Sequence, residues 1–325
     1  MTNTPYLLNR RTLLASAAAL LAVSGARAQG FPNKPITLIC PFSAGGTADA
    51  QLRTLGAAAS KQFGQAVIID NKPGAAGTMG PGGLVGAAAD GYLLSQATGV
   101  ALLRQPFIQK TRYDPAKDFS YVIGVTRFEI GLVVRADAPW KTAEEFLLSA
   151  KNKPGSIAFG TAGFATAQHT AMLQLADKLG IDWTHVPFKG SGDVFNALAG
   201  GHVQAISETT GWAPFVDSGK FRVLALFSDA RLKRWPDVPT FKELGHPVVE
   251  SVAWGIVGPA GMDAPLVAQL HDGFRKAIDD PAFVKILGLV GQEPWAADSQ
   301  AYRQYTMARI PIERELVNKY RLREQ

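Results

Sequence analysis

The sequence predicts an α/β protein of two lobes, and three observations predict it. Apolar, β-branched runs alternate with helix-forming stretches along nearly the whole chain, the pattern of strands covered by helices. Residues Lys34 to Leu55 read as strand, glycine turn and helix. Residues Ser156 to Leu179 repeat that logic about 115 residues further on, which suggests two α/β lobes facing one cleft.

A targeting segment precedes the first element. Arg10-Arg11 supply a charged start, and Leu13 to Val23 an apolar stretch too short to span a bilayer. Ala26-Arg27-Ala28 form a small-x-small cleavage site. The paired arginines before Thr12-Leu13-Leu14 resemble a twin-arginine signal, with the general secretory route equally open. Cleavage at Ala28 would leave a mature chain of 297 residues (325 less 28), long enough for two lobes.

Pro35-Ile36-Thr37-Leu38-Ile39-Cys40 is a buried strand, broken by Pro41-Phe42-Ser43-Ala44-Gly45-Gly46. Thr47-Ala48-Asp49 then opens a helix through Leu55. Such a turn aims free backbone N–H groups and the positive end of a helix at one point, where an anion can sit without any charged side chain. Further strands are expected over 66–70, 92–96, 120–125, 130–135, 156–159, 184–187, 203–207, 222–227 and 250–258. Helices are expected over 47–62, 79–88, 141–151, 166–179, 191–200, 212–218, 240–244, 264–279, 281–290 and 298–320. In the second cradle, the strand 156–159 leads through Gly160-Thr161-Ala162-Gly163-Phe164-Ala165 into a helix opened by Thr166-Ala167-Gln168-His169.

Composition removes several function classes. The signal carries three arginines and no acids, so the formal charge of +6 falls to +3 without it. No Lys/Arg cluster with interleaved aromatics appears, so no nucleic-acid partner is expected. No second long apolar run exists, so the mature chain is not expected to be embedded in a membrane. The lone Cys40 can form no intrachain disulfide and reads as a buried apolar thiol. The glycines of Gly77-Thr78-Met79-Gly80-Pro81-Gly82-Gly83 fail the dinucleotide spacing, because its third glycine would fall on Val85. Neither a phosphate-binding Walker loop nor a Gly-x-Ser-x-Gly elbow is present, and the five histidines show no metal-ligand spacing, so no cofactor and no metal are expected.

The opening Lys34-Pro35-Ile36, with Pro41 to Gly46 and Asp49, resembles that of the Bug/TctC family, the periplasmic receptors of tripartite tricarboxylate transporters. Asn71-Lys72-Pro73-Gly74-Ala75-Ala76-Gly77, Asp90-Gly91-Tyr92, Tyr113-Asp114-Pro115 and His185-Val186-Pro187-Phe188-Lys189-Gly190 follow in the family's order. So do Gly219 to Ala225, Trp235-Pro236-Asp237-Val238-Pro239-Thr240 and Gly258-Pro259-Ala260-Gly261, and the likeness covers essentially all of 33–320. It implies a two-lobed, type II periplasmic-binding-protein (Venus-flytrap) fold, with crossovers near 126–130 and 227–232. Lobe 1 would be 29–127 plus 230–325 and lobe 2 128–229, as a monomer, with the C-terminal helices returning to lobe 1. It also implies a carboxylate held between the Phe42 to Asp49 loop and the Gly160 to His169 loop, and delivery to membrane transporter subunits. Thr47, Ala48, Ala162 and Phe164 depart from the family's usual residues and make the loops less polar, leaving room for a longer aliphatic or aromatic carboxylate.

The residues expected to bind ligand are Phe42, Ser43, Ala44, Gly45, Gly46, Thr47, Asp49, Thr98, Thr161, Ala162, Gly163, Phe164, Thr166, His169, Lys189 and Glu208. Several carry two readings. Asp49 caps backbone N–H groups or meets the ligand; His169 makes a hydrogen bond to ligand or orients its loop, or is a satisfied structural histidine. Lys189 balances a carboxylate or is a solvated turn lysine. Glu208 stands at the C-terminal end of a strand, where open α/β sheets keep their clefts, and holds a loop or selects among anions. Arg127-Phe128-Glu129 reads as a hinge salt bridge, and Trp212 and Phe164 as the aromatics nearest the cleft. The function these imply is an exported, non-enzymatic carboxylate receptor serving a transporter, with a periplasmic sensory receptor of the same fold as the alternative.

Overall fold

A computed structural model describes residues 30–323; the export signal read over 1–28 lies outside them. The strands are β1 (Ile36–Cys40), β2 (Val67–Asn71), β3 (Leu93–Thr98), β4 (Phe119–Arg135), β5 (Ala158–Thr161), β6 (Thr184–Pro187), β7 (Ala205–Thr209), β8 (Phe221–Leu226), β9 (Ser251–Pro259) and β10 (Pro294–Ala297). The helices used below are α1 (Thr47–Phe63), α2 (Ala143–Asn152), α3 (Ala167–Leu179), α4 (Ser191–Ala199), α5 (Ala264–Ile278), α6 (Pro281–Leu289) and α7 (Ser299–Lys319). One sheet runs β2-β1-β3-β9-β4 with β10 also on β4; the other runs β4-β7-β5-β6 with β8 on β4. Each is parallel where helices cross over (β1 with β2 and β3, β5 with β6 and β7) and antiparallel along β4.

β4 joins the lobes. Its first part pairs with β9 through Glu129, and from Ile130 onward it pairs with β7 and β8. The polar Arg127-Phe128-Glu129 thus lies inside one continuous strand, where two strands with a break were expected. Arg127 lies over the rings of Trp295 and Tyr305, 4.9 and 5.5 Å from their centroids, in place of the expected hinge salt bridge with Glu129. The chain returns to lobe 1 at Glu250 to Val252, later than the expected crossover at 227–232 and boundary at 230. Phe227, Phe241 and Val248 are buried in the same core as Phe146 and Phe159 of lobe 2. Backbone bonds from Phe241 N–H to Leu226 O and from Glu250 N–H to Phe227 O hold the segment there.

Three other elements differ from expectation. Thr240 and Glu243 exchange the bonds of a capping box (Thr240 N–H to Glu243 Oε2, Glu243 N–H to Thr240 Oγ1), yet Gly245 at φ +82° ends the turn before a helix forms. The helix expected over 79–88 is only Met79–Gly82; beyond it the chain tightens into turns, with Gly83 N–H to Gly80 O and Leu84 N–H to Pro81 O, before Gly86 turns left-handed at φ +79°. β10 has no alternating pattern and was not expected; it is a bulged pair on β4 with Ala296 at φ +47°.

Lobe 1 is held by Leu38, Leu52, Ile123, Trp254 and Phe274, and lobe 2 by Leu132, Phe146, Phe159, Met172 and Leu175, all buried. Each such side chain contributes roughly 1.5–3 kcal/mol. A smaller apolar cluster crosses between lobes: Phe164, Ala165 and Leu173 of lobe 2 meet Val317 and Leu322 beyond the end of α7. Cys40 is buried among lobe 1 residues, and burial pushes its thiol up to about 11, so it stays protonated.

Candidate ligand-binding site

A cavity of about 320 Å³ lies between the lobes. Lobe 1 contributes the whole β1–α1 loop from Phe42 to Ala48, with Ala76, Thr98, Val100, Phe128 and Val252; lobe 2 contributes Ala162, Thr166, Gln168, Thr209 and the turn Lys189 to Asp193. The lobes also abut directly, since a Cβ added to Gly211 would meet Thr47 Oγ1 at 2.5 Å.

The β1–α1 loop is fixed from beneath. Asp49 Oδ2 accepts from Gly45 N–H at 2.9 Å and from Arg53 Nε at 3.0 Å, and its Oδ1 accepts from Asn71 Nδ2 at 2.8 Å. Burial alone would raise the Asp49 pKa, but the bonds from Arg53, Gly45 and Asn71 hold it below the ordinary carboxylate value. Asp49 does not line the cavity; of its two readings, holding the loop is the one its geometry supports. Gly46, the N-cap of α1, carries no side-chain cap, so the first-turn N–H groups are left for a ligand or solvent. The left-handed residue is Gly45 at φ +81°, whereas Gly46 sits at φ −81° with room for a Cβ. We therefore expect Gly45→Val to lower affinity for a bound anion at least about tenfold, because a β-branched residue resists that φ. Gly46→Ala should fold normally. Calorimetry beside circular dichroism reads both; undiminished affinity in Gly45→Val would make the loop a packing turn only.

On the lobe 2 side, the helix aimed bare at the cavity is α4 and not α3. α3 is capped by Thr166, whose hydroxyl accepts from His169 N–H. α4 starts at Gly190 with no side-chain cap, and Ser191, Gly192 and Asp193 line the cavity. Its Lys-Gly-Ser-Gly start read as a turn and 191–200 as a helix, but nothing local told that the two would face Gly46 across a cleft. Beside them Lys189 is the one cation among the described lining residues, and it makes no ion pair there.

Of the expected residues, Phe42 to Thr47, Thr98, Ala162, Thr166 and Lys189 line the cavity, while Asp49, Thr161, Gly163, Phe164, His169 and Glu208 do not. Thr161 and Gly163 brace the second loop: Thr161 Oγ1 donates to Gly163 O at 2.9 Å. Phe164, expected at the ligand, packs on His169 at 5.2 Å and joins the α7 cluster instead of lining this cavity. Trp212 is likewise buried below the site, where its indole N–H donates to Glu208 O at 3.1 Å. Glu208 is wholly buried behind Gln168 and Thr209, and burial pushes its carboxyl up against the bonds it accepts from them. Thr209 and Phe128 were missed, because pairing along β4 and β7, not local pattern, brings them to the cleft; Gln168, within the second cradle at the start of α3, was not singled out.

Residues 51–322 match the tripartite tricarboxylate transporter family receptor, TctC. The chain belongs to this family. A TctC-family relative, the UPF0065 protein in the gbd 5' region of Cupriavidus necator, is 39% identical over 97% of both chains. MatC from Rhodopseudomonas palustris, solved with bound malate, shares the TctC architecture at TM-score 0.81 and 28% identity, covering 88% of this chain and 100% of its own. R. palustris Rpa4515, solved with adipate, matches at TM-score 0.83 and 25% identity, covering 89% and 97%. The TctC fold accounts for the two-lobed sheet arrangement built on β4. Among the described residues no group of His, Cys, Asp or Glu could hold a metal ion, and no helix is long and apolar enough to cross a membrane.

Proposed function

We propose that this chain is an exported receptor that captures an organic carboxylate between its lobes and delivers it to a tripartite tricarboxylate-type transporter. The observation that carries the reading is the pair of uncapped helix N-termini, α1 and α4, that line one cavity from opposite lobes beside Lys189. Two positive helix ends and a lysine favour an anion over a neutral solute. Phe42, Val100, Phe128 and Val252 form the side walls, which suits a ligand body that is aliphatic or aromatic. Relatives crystallised with malate and with adipate support a carboxylate as the anion. The export segment read over 1–28 and the family's receptors support a periplasmic site of action. Capture is by closure of the lobes on the bound carboxylate, and the role is binding, not turnover.

A thermal-shift screen of linear and aromatic mono-, di- and tricarboxylates tests the reading. A ligand present at a hundred times its Kd should add about 2.7 kcal/mol to the stability of the folded protein. Native mass spectrometry of the untreated protein should show the same class of ligand retained. A screen in which no carboxylate moves the midpoint would sink the proposal.

A further inference from the structure

We infer that Glu208 sets Gln168 and Thr209 as a pair of hydrogen-bond acceptors on the lobe 2 wall, so that the cavity selects carboxylates that also carry a hydroxyl or amine donor. The inference rests on the receptor reading above and concerns the same cavity.

Glu208 Oε1 receives three donors: Gln168 Nε2 at 2.9 Å, Thr209 N–H at 2.7 Å and Thr209 Oγ1 at 3.1 Å. Oε1 already accepts from a backbone N–H, which can only donate, and this marks it as the carboxyl's acceptor oxygen toward Gln168 as well. The Gln168 amide is therefore fixed with its Nε2 toward Glu208 and its Oε1 free of that bond. The same holds whether the carboxyl is charged or neutral, since a proton would sit on Oε2, which no donor in the structure reaches. With its own proton spent on Glu208, the Thr209 hydroxyl has only lone pairs left to offer. Both Gln168 and Thr209 line the cavity, and both are nine-tenths buried, so bulk water competes little for them. Trp212 Nε1 and the Ser207 hydroxyl, which donate to Glu208 O and to Gln168 O, hold the backbone of the pair in place. The arrangement gives the cavity two characters: N–H groups and Lys189 for an anion, and two bare acceptors that a second carboxylate would meet with repulsion and a hydroxyl with a bond. A buried acceptor left unpaired by a ligand lacking the donor carries the full desolvation penalty, which is why such walls discriminate strongly.

Calorimetry with matched monocarboxylate pairs reads this directly: 4-hydroxybutyrate against butyrate, and 4-hydroxybenzoate against benzoate. In the pair that binds, the hydroxylated member should bind at least about tenfold tighter. That ratio should collapse toward unity in Gln168→Met, which keeps the side chain's length, and fall in Thr209→Val, while Thr209→Ser should retain it. Because the ratio is taken within each protein, a general loss of stability does not mimic it. Equal affinities within a pair, or an unchanged ratio in Gln168→Met, overturns the inference and leaves the receptor reading standing. Failure of both members of both pairs, with no other carboxylate stabilising the fold, removes the receptor reading and the inference together.

Discussion

Arg104→Ala should lower the stability of the folded protein by roughly 3–5 kcal/mol, the cost of stranding a buried ion-pair partner. Arg104 lies on the short helical turn Val100–Arg104, is 1% exposed, and is ringed by charge and dipole. Its Nε donates to Glu313 Oε2 of α7 at 2.7 Å, and its Nη2 lies 3.6 Å from Glu250 Oε1. Its Nη1 donates to Thr170 Oγ1 of α3 at 2.7 Å and to Ala165 O at 3.3 Å. One guanidinium thus ties lobe 1, the C-terminal helix, the return to β9 and the second loop of the cleft. Removing it leaves Glu313 with Arg309 alone, at 3.1 Å, and leaves Glu250 with hydrogen bonds from Thr170 and Gln174 but no cation in contact. Burial then favours the neutral acid at Glu250, whose pKa is already raised by desolvation. The unfolding midpoint should drop by roughly 10 °C for a chain of this size. Arg104→Ala combined with Glu313→Gln should cost less than the two single changes added, because the second removes the charge the first strands. A loss under about 1 kcal/mol in chemical denaturation would show that water enters and replaces the guanidinium.

The contrast between this hub and the first cradle shows what the sequence carries. The strand, glycine turn and helix over 36–63 were legible because their signals are local: a β-branched run, two glycines and an alanine-rich helix. The loop-holding role of Asp49 was legible as one of two readings, since a carboxylate in a first helical turn meets nearby N–H groups whatever the fold. Arg104 and Glu313 are 209 positions apart, and nothing near either residue announces the other. Phe164 shows the same limit. Its loop carries Ala162 and Thr166 to the cavity, but the ring itself packs on His169 and on the cluster with Val317 and Leu322, residues far along the chain that nothing near Phe164 announces. The acceptor pair at Gln168 and Thr209 was hidden for the same reason as β10: its meaning comes from strand pairing, not from spacing along the chain.

Acidification should weaken the protein through His169 and His185. The rings stack 3.7 Å apart at 10°, with Phe164 against one and Phe159 against the other. His169 Nδ1 accepts from Ala165 N–H at 3.1 Å, so its proton is on Nε2. The Thr161 hydroxyl already donates to Gly163 O, so it accepts from His185 Nε2 at 2.7 Å. His169, with one nitrogen accepting, is therefore neutral, and burial keeps His185 neutral near pH 7. Burial, the His185 ring and the Arg104 charge push His169 down to about 3, and burial pushes His185 down to about 4. Both values lie below the ordinary 6.5 of an unfolded chain, so as pH falls the unfolded state takes up protons first. The stabilisation is complete above about 6.5 and is lost as pH falls from there toward 3. At pH 4.5 the term from His169 alone amounts to roughly 2–3 kcal/mol relative to pH 7, with a smaller one from the more exposed His185. The loop that loosens is the one that carries Ala162 and Thr166 to the cavity, so binding should weaken over the same window. Urea unfolding at pH 7 and pH 4.5, compared between the native chain and His169→Gln, isolates the term, since the carboxylates contribute equally to both proteins. The variant should lose about 2–3 kcal/mol less on acidification. Imidazole resonances of the folded protein give an independent check: His169 should show no titration above pH 5. A midpoint near 6.5 for that ring would mean that the stack opens readily to water, and that acid stability is governed by the carboxylates alone.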